Sequence, residues 1–218
     1  SMKLLVTRPA GQAQAWVQRL GEHGVQAQAL PLIEIAPPDD VQAVRDAWQR
    51  LDSFGMAVFV SPNAASQFFA QRPQGLAWPE GTVAATPGPG TDAVLGELGV
   101  PQAQRVVPGE DAAQFDSEAL WALLRDRPWQ GVPVLIVRGD GGRDWLAQQL
   151  HSAGARVSFL AAYGRRAPVL DAQGEALLRD ALAQPGGHQW VFSSSEAILH
   201  LETLCAALID RLKEIEPA

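Results

Sequence analysis

Residues 56–70 read Met56-Ala57-Val58-Phe59-Val60-Ser61-Pro62-Asn63-Ala64-Ala65-Ser66-Gln67-Phe68-Phe69-Ala70. The first five are apolar without a break, the pattern of a strand buried on both faces. Ser61-Pro62-Asn63 closes the run, and Ala64 to Ala70 continues with helical character. The same order of events recurs in both directions. Upstream, Lys3 to Thr7 is an apolar run stopped by Arg8-Pro9, and a helix over Ala13 to Leu20 ends at Gly21 and Gly24. Val25 to Leu30 alternates as a strand, Leu32 to Ile35 stays extended as far as Pro37-Pro38, and Val41 to Leu51 is helical. Downstream, strands at Thr82–Ala85, Arg105–Val107, Val132–Val137, Val157–Tyr163 and Trp190–Phe192 alternate with helices. Those helices run over Thr91–Leu98, Ser117–Leu124, Asp144–Leu150, Gln173–Leu182 and Glu196–Leu208, with Thr91 and Ser117 as caps. No Asn-Gly hairpin signal interrupts them. Alternation of this kind predicts an α/β fold of parallel sheets flanked by helices, with right-handed crossovers.

The chain has 218 residues, so at ~150 residues per domain it makes one domain or two small ones. Hydrophobic residues are 47% and charged residues 19%, which excludes a disordered chain. A net charge of -7 removes any global attraction for nucleic acid or an anionic membrane surface. Lys3 and Lys213 are the only lysines, so the positive charge is almost all arginine, which grips carboxylates by paired hydrogen bonds. The one cysteine, Cys205, forms no internal disulfide and reads as core packing. No apolar stretch approaches the ~20 residues that span a membrane. Ser1 before Met2 reads as a tag-cleavage scar, and the first strand lacks the design of a signal peptide. A cytoplasmic protein is the expectation.

Ligands of open parallel sheets bind beyond the carboxyl ends of the strands. The informative residues are therefore Thr7-Arg8-Pro9, Ser61-Pro62-Asn63, Thr86 to Thr91, Arg138 to Arg143, Tyr163 and Ser193 to Glu196. They are hydroxyl, amide, glycine and arginine residues placed just before helix starts. Such a set holds anions with backbone N–H groups, hydroxyls and helix N-termini. Each has a plainer reading: a Ser or Thr there is most often an N-cap, and Gly88 and Gly90 would serve only a tight turn. Tyr163, the single tyrosine, is either an aromatic whose hydroxyl reaches water or a proton donor to a leaving group.

Several chemistries lack their residues. No GxxxxGK[ST] loop is present and no GxGxxG follows the first strand. His23, His151, His188 and His200 are scattered, no carboxylate pair ends two strands together, and no GxSxG elbow occurs. A receiver domain would need an acidic pair after the first strand and a lysine after a late one. The residues alone support a two-lobed α/β protein for a small anionic ligand, either an enzyme or a non-catalytic binding module.

The strand-end motifs in their order give a resemblance. Leu5-Val6-Thr7-Arg8-Pro9 leads, followed by Leu30-Pro31-Leu32-Ile33-Glu34-Ile35, Val58-Phe59-Val60-Ser61-Pro62-Asn63-Ala64 and Gly88-Pro89-Gly90-Thr91. Val134-Leu135-Ile136-Val137-Arg138-Gly139 with Gly142-Arg143 comes next, then Tyr163 with Arg165 and Phe192-Ser193-Ser194-Ser195-Glu196-Ala197. Over nearly its whole length the chain resembles the uroporphyrinogen-III synthase family. The resemblance implies two flavodoxin-like domains, each a parallel sheet flanked by helices, joined by a two-stranded linker. The first domain would take residues 1–36 and 167–218, and the second residues 38–164. The linkers would lie near 36–38 and 164–168. It further implies a cytoplasmic, monomeric enzyme without cofactor or metal, and with no nucleic-acid or membrane partner. Its substrate would be hydroxymethylbilane, handed over from hydroxymethylbilane synthase.

The reaction so implied closes the linear tetrapyrrole to uroporphyrinogen III with ring D inverted and water lost. Departure of the terminal hydroxyl leaves an azafulvene. Ring D attacks it through its substituted α-carbon, and a spirocyclic intermediate fragments and recloses. The free bilane already cyclises without inversion, so the task is mainly one of folding the substrate. Tyr163 is the implied catalytic residue, since a phenol carries its proton at neutral pH. Substrate binding would fall to Thr7, Arg8, Ser61, Asn63, Gly88, Gly90, Thr91, Arg138, Gly139, Ser193, Ser194 and Ser195. Two departures from the family pattern stand out. Pro87 replaces an apolar residue before Gly-x-x-Thr. The resemblance also implies a first domain incomplete at its C-terminal side, since members carry a further strand there bearing a Thr or Ser.

Overall fold

The alternation of apolar runs and helix signals becomes ten strands and eight α-helices in a computed structural model that describes residues 2–109 and 116–215. Ser1 lies outside the described residues. In chain order the elements are β1 (Lys3–Val6), α1 (Ala10–Glu22), β2 (Ala27–Ala29), β3 (Glu34–Ala36), α2 (Val41–Gln49), β4 (Met56–Phe59), α3 (Pro62–Ala70), β5 (Val83–Ala85) and α4 (Pro89–Glu97). They continue with β6 (Arg105–Val106), α5 (Ser117–Leu124), β7 (Pro133–Arg138), α6 (Trp145–Ser152), β8 (Arg156–Ala161), β9 (Gly164–Arg166), α7 (Ala172–Ala183), β10 (His188–Val191) and α8 (Ser195–Ile215). The chain forms two compact units, residues 1–35 with 165–218 (unit 1) and residues 36–164 (unit 2). β3 and β9, where the chain passes from one unit to the other and back, pair as a two-stranded ribbon.

Unit 2 holds a five-stranded sheet in the order β6-β5-β4-β7-β8, with every pair parallel. All four residues of β4 are buried, as a central strand covered on both faces must be. Successive side chains point to opposite faces. Met56 and Val58 accordingly join a core with Leu120, Leu124, Ile136 and Leu150, while Phe59 joins an aromatic cluster of Trp48, Phe68, Phe69 and Trp78. The buried indoles keep their N–H groups paired: Trp48 donates to the Phe68 carbonyl and Trp78 to that of Thr82, each at 2.8 Å. Counted within the unit the strand order is 3-2-1-4-5, not the 2-1-3-4-5 of the expected flavodoxin-like sheet, because β6 adds outside β5 rather than beyond β4; the reversal of direction falls between β4 and β7.

Unit 1 holds a parallel three-stranded sheet, β10-β1-β2. Its reversal falls between β1 and β10. Leu30, Leu32, Ile33, Leu178, Ala197 and Leu208 form its core, with Trp190 and Phe192 stacked beside it at a ring separation of 5.8 Å. In α8 the first strong breaker after Ser195 is Pro217, so the helix continues to Ile215 rather than ending near Leu208. Burial pushes the Cys205 thiol above its ordinary range, in keeping with its packing role.

Two of the expected caps differ. Thr91 does not cap α4: Pro89 takes the first helical position, Gly88 becomes the N-cap, and Thr91 is buried one turn inside. Asp116, not Ser117, caps α5, its carboxylate accepting the Ala119 N–H at 2.9 Å.

On the ribbon strands, the Arg166 guanidinium donates to both carboxylate oxygens of Glu34, at 2.8 and 3.3 Å. That hydrogen bond, with the guanidinium charge, holds the Glu34 carboxyl below its ordinary range. A carboxyl lowered in the folded state stabilises above its unfolded-state pKa, and the contribution is lost as pH falls through the folded value. Both side chains reach solvent, so salt should weaken the pair. A carbon-13 NMR titration of Glu34 is expected to show a low midpoint that returns to the ordinary glutamate range in Arg166→Gln.

Candidate functional site

The carboxyl ends of β4 and β7 bring together residues that are far apart in sequence. β4 ends at Phe59 and is followed by Val60-Ser61; the Val60 N–H donates to the Val137 carbonyl at 3.2 Å, keeping the two strand ends side by side. Ser61 is extended, and its Oγ accepts the Ala64 N–H at 3.1 Å, capping α3 with Pro62 at the first helical position. β7 ends at Arg138, and the next residue, Gly139, is buried. Tyr163 comes from the junction after β8, two residues past its end and one before β9. Its side chain folds inward to 7% exposure. The phenolic oxygen lies 3.4 Å from Ser61 Oγ, and the ring rests against the α-carbon of Gly139. The hydroxyl's hydrogen-bonding neighbour is a helix-capping hydroxyl 102 residues away.

Arg138 and its loop complete this end of unit 2. Its guanidinium donates to Asp144 at 2.8 Å and lies 4.0 Å from the centre of the Phe159 ring, so it is held from two sides. A cavity of about 130 Å³ opens here, lined in part by Val60, Pro87, Ser117, Arg138, Gly142 and Arg143. Arg143, Pro87 and Ser117 were absent from the residues expected to bind, although Arg143 lies within the same glycine-rich strand-end loop. Gly141 and Gly142 hold positive φ, 79° and 145°, which lets that loop turn tightly. Asn63 sits half-buried in the first turn of α3. Gly88 is half-buried and Gly90 exposed, and Gly88 N–H points to Thr86 Oγ1 at 3.4 Å. Thr91 is buried within α4, which leaves its side chain little access to a ligand.

Unit 1 repeats the arrangement at its own reversal point. Thr7, fully buried after β1, donates its hydroxyl to the Val191 carbonyl of β10 at 2.8 Å. Arg8 reaches Gln12 at 3.3 Å and lies 4.5 Å over the Trp16 ring. Ser194 Oγ accepts the Ala197 N–H at 3.4 Å at the start of α8, flanked by the exposed Ser193 and Ser195. Arg165 pairs with Glu196 in the same turn at 3.4 Å. A larger groove of about 700 Å³ runs along the outer side of β2, between α1 and α7. None of the expected site residues lines it, and it sits beside a sheet edge rather than at the reversal point, so it is set aside. Among the described residues no group of three or more His, Cys, Asp or Glu side chains gathers as a metal site would. None of the described helices is long and apolar enough to cross a membrane.

Ser61→Ala is expected to lower turnover by roughly 2- to 13-fold, the value of one hydrogen bond of ~0.5–1.5 kcal/mol, because the N-terminal N–H groups of α3 remain. The same change removes a helix cap and should cost about 1 kcal/mol of stability. Steady-state kinetics beside urea denaturation separates the two effects.

These features define a parallel α/β protein whose candidate site lies at strand ends rich in hydroxyls, glycines and arginines. The comparisons narrow the class. Residues 14–210 match the family model described as uroporphyrinogen-III synthase HemD. The uroporphyrinogen-III synthase of Salmonella typhimurium is 31% identical over 181 residues, covering 81% of this chain and 70% of that protein. That of Escherichia coli is 30% identical over 179 residues, with the same coverage of 81% and 70%. A crystal structure of a mutant uroporphyrinogen III synthase from Thermus thermophilus superposes with a TM-score of 0.59 at 17% identity. That superposition covers 92% of this chain and 76% of the crystallised one, and it shows a shared fold. The chain belongs to the uroporphyrinogen-III synthase family.

Proposed function

We propose that the chain cyclises hydroxymethylbilane to uroporphyrinogen III, inverting ring D and losing water, in the biosynthesis of tetrapyrroles such as heme, siroheme and cobalamin. Membership of the family supplies the reaction. The observation that carries the assignment of residues is the placement of the Tyr163 hydroxyl 3.4 Å from Ser61 Oγ, at the reversal point of the unit 2 sheet.

In this reading Tyr163 gives its proton to the terminal hydroxyl of the bilane as the carbon–oxygen bond breaks. The hydroxyl leaves as water, the N–H of the same pyrrole ring returns a proton to the phenolate, and the neutral azafulvene forms. Ring D is then captured through its substituted carbon because the folded bilane presents that carbon first. The substrate carries acetate and propionate groups throughout, and each needs donors. Backbone N–H groups at the starts of α3 and α4, the loop after β7, and the arginines Arg138 and Arg143 supply them in unit 2. Within unit 1, Arg8 and Ser193 to Ser195 are read as the anion-binding groups of its own strand ends, while the Thr7 hydroxyl is already committed to the Val191 carbonyl.

The two units are read as the two domains of the family architecture, with β3 and β9 as the linker. Unit 1 follows the flavodoxin-like order 2-1-3 in its three strands, and unit 2 is a doubly wound variant in which strands two and three share one side. The reading includes a cytoplasmic monomer that needs no cofactor and receives its substrate from hydroxymethylbilane synthase.

The test is the isomer composition of the product. Protein mixed with hydroxymethylbilane should yield mainly the type III isomer. Type I in the proportion of a protein-free control would overturn the proposal.

A further inference from the structure

We infer that Gly139 is a positioning residue for this reaction: its bare α-carbon is the seat that fixes the Tyr163 ring, and through the ring the phenolic oxygen. The inference rests on the proposed role of Tyr163 and adds the reason for a glycine at the end of β7. Backbone conformation does not require one, because Gly139 is not among the glycines with positive φ. Space does. A β-carbon on Gly139 would lie 2.7 Å from Cζ, 2.8 Å from Cε2 and 3.1 Å from the hydroxyl oxygen of Tyr163. Carbon atoms rest at about 3.5–4.0 Å, so the ring would have to withdraw by roughly 1 Å. A β-carbon on Gly88 or Gly90, by contrast, would meet nothing within 4 Å.

The ring has little room to withdraw. Tyr163 is 7% exposed and sits between the buried Ala162 and Gly164. The oxygen's other neighbour, Ser61 Oγ, is held by the Ala64 N–H. Three chain segments therefore define one point in space: the end of β7, the turn into α3 and the junction after β8. Misplacing a reacting group by about 1 Å typically costs ~10²-fold in rate.

The test is a kinetic cycle of Gly139→Ala, Tyr163→Phe and the double variant. Gly139→Ala should lower kcat by about 10²-fold with KM within about twofold. In the Tyr163→Phe background, where no hydroxyl is left to misplace, it should remove less than about threefold more. Equal losses in both backgrounds, or a raised KM at unchanged kcat, would overturn the inference. A second arm does not depend on turnover. Tyr163 is the only tyrosine, so ring-labelled protein gives one tyrosine spin system. Gly139→Ala should shift it and Gly88→Ala should leave it in place; an unmoved signal in Gly139→Ala would overturn the seat. Should Gly139→Ala fail to fold, Gly139→Ala with Tyr163→Leu should fold with the Tm of Tyr163→Leu alone. Continued failure there would place the need for glycine elsewhere. A wild-type protein that makes no type III isomer would sink the proposed function, while the resonance arm would still test the seat.

Discussion

Tyr163→Phe is expected to lower kcat by about 10²-fold and to change KM by no more than about twofold. The substitution keeps the ring and deletes one oxygen. The ring's contacts with Gly139 and its burial are preserved, so the bilane should still fold against the same surface. What disappears is the proton available to the departing hydroxyl, a loss felt only when the carbon–oxygen bond is breaking. An interaction made only in the transition state lowers kcat and kcat/KM together. Steady-state kinetics with matched circular dichroism spectra would check this. Wild-type kcat in Tyr163→Phe would mean that substrate folding alone carries the reaction. A loss near 10⁴-fold in Ser61→Ala would instead mark Ser61 as the reacting group.

Phe68→Ala is expected to destabilise the protein by about 3–5 kcal/mol, the range for emptying a buried aromatic site. Phe68 is fully buried on the inner face of α3. Its ring stacks on Trp48 at 4.6 Å and meets Phe59 and Phe69 edgewise at 5.5 and 5.9 Å. Four large rings cannot close over the vacated space without leaving their rotamers. The Trp48 indole donates to the Phe68 carbonyl, which alanine retains, so the loss is one of packing rather than of a hydrogen bond. Urea denaturation should show a lower midpoint at an unchanged slope. Leu199→Ala, at a site 60% exposed, should stay within about 0.5 kcal/mol of wild type. If the folded variant keeps its turnover, the aromatic cluster supports α3 without taking part in the chemistry.

Strand–turn–helix order was readable from residues such as Met56 to Ala70 because a buried parallel strand is a continuous apolar run and Ser-Pro marks a helix start. The structure agrees on β4 and α3 to within two residues at each end. Edge strands were read less well. β8 exposes Arg156, Ser158, Phe159 and Ala161, and its apolar tail past Ala161 looked like more strand although Tyr163 has already left the sheet. Thr91 was misread as a cap because a threonine before an apolar stretch resembles one. Pro89 two residues earlier, with its fixed φ, is the stronger start signal. The site was visible as a set of strand ends but not as an arrangement. Nothing local joins Tyr163 to Ser61 or Gly139, since those contacts arise from strand order across the sheet, which the sequence pattern does not specify. The resemblance named the residues; the fold places a glycine and a capping serine beside the tyrosine.

Bilane or product bound at the end of β4 and β7 must touch Tyr163, and a single labelled tyrosine ring reports that contact without ambiguity. The measurement is the ring resonance of Tyr163 recorded while uroporphyrinogen III is added under anaerobic conditions. Saturable movement of that resonance, with a midpoint matching the constant for product inhibition of type III formation, is the predicted result. A resonance that stays fixed at product concentrations that inhibit the reaction would place the tetrapyrrole elsewhere and contradict the assignment.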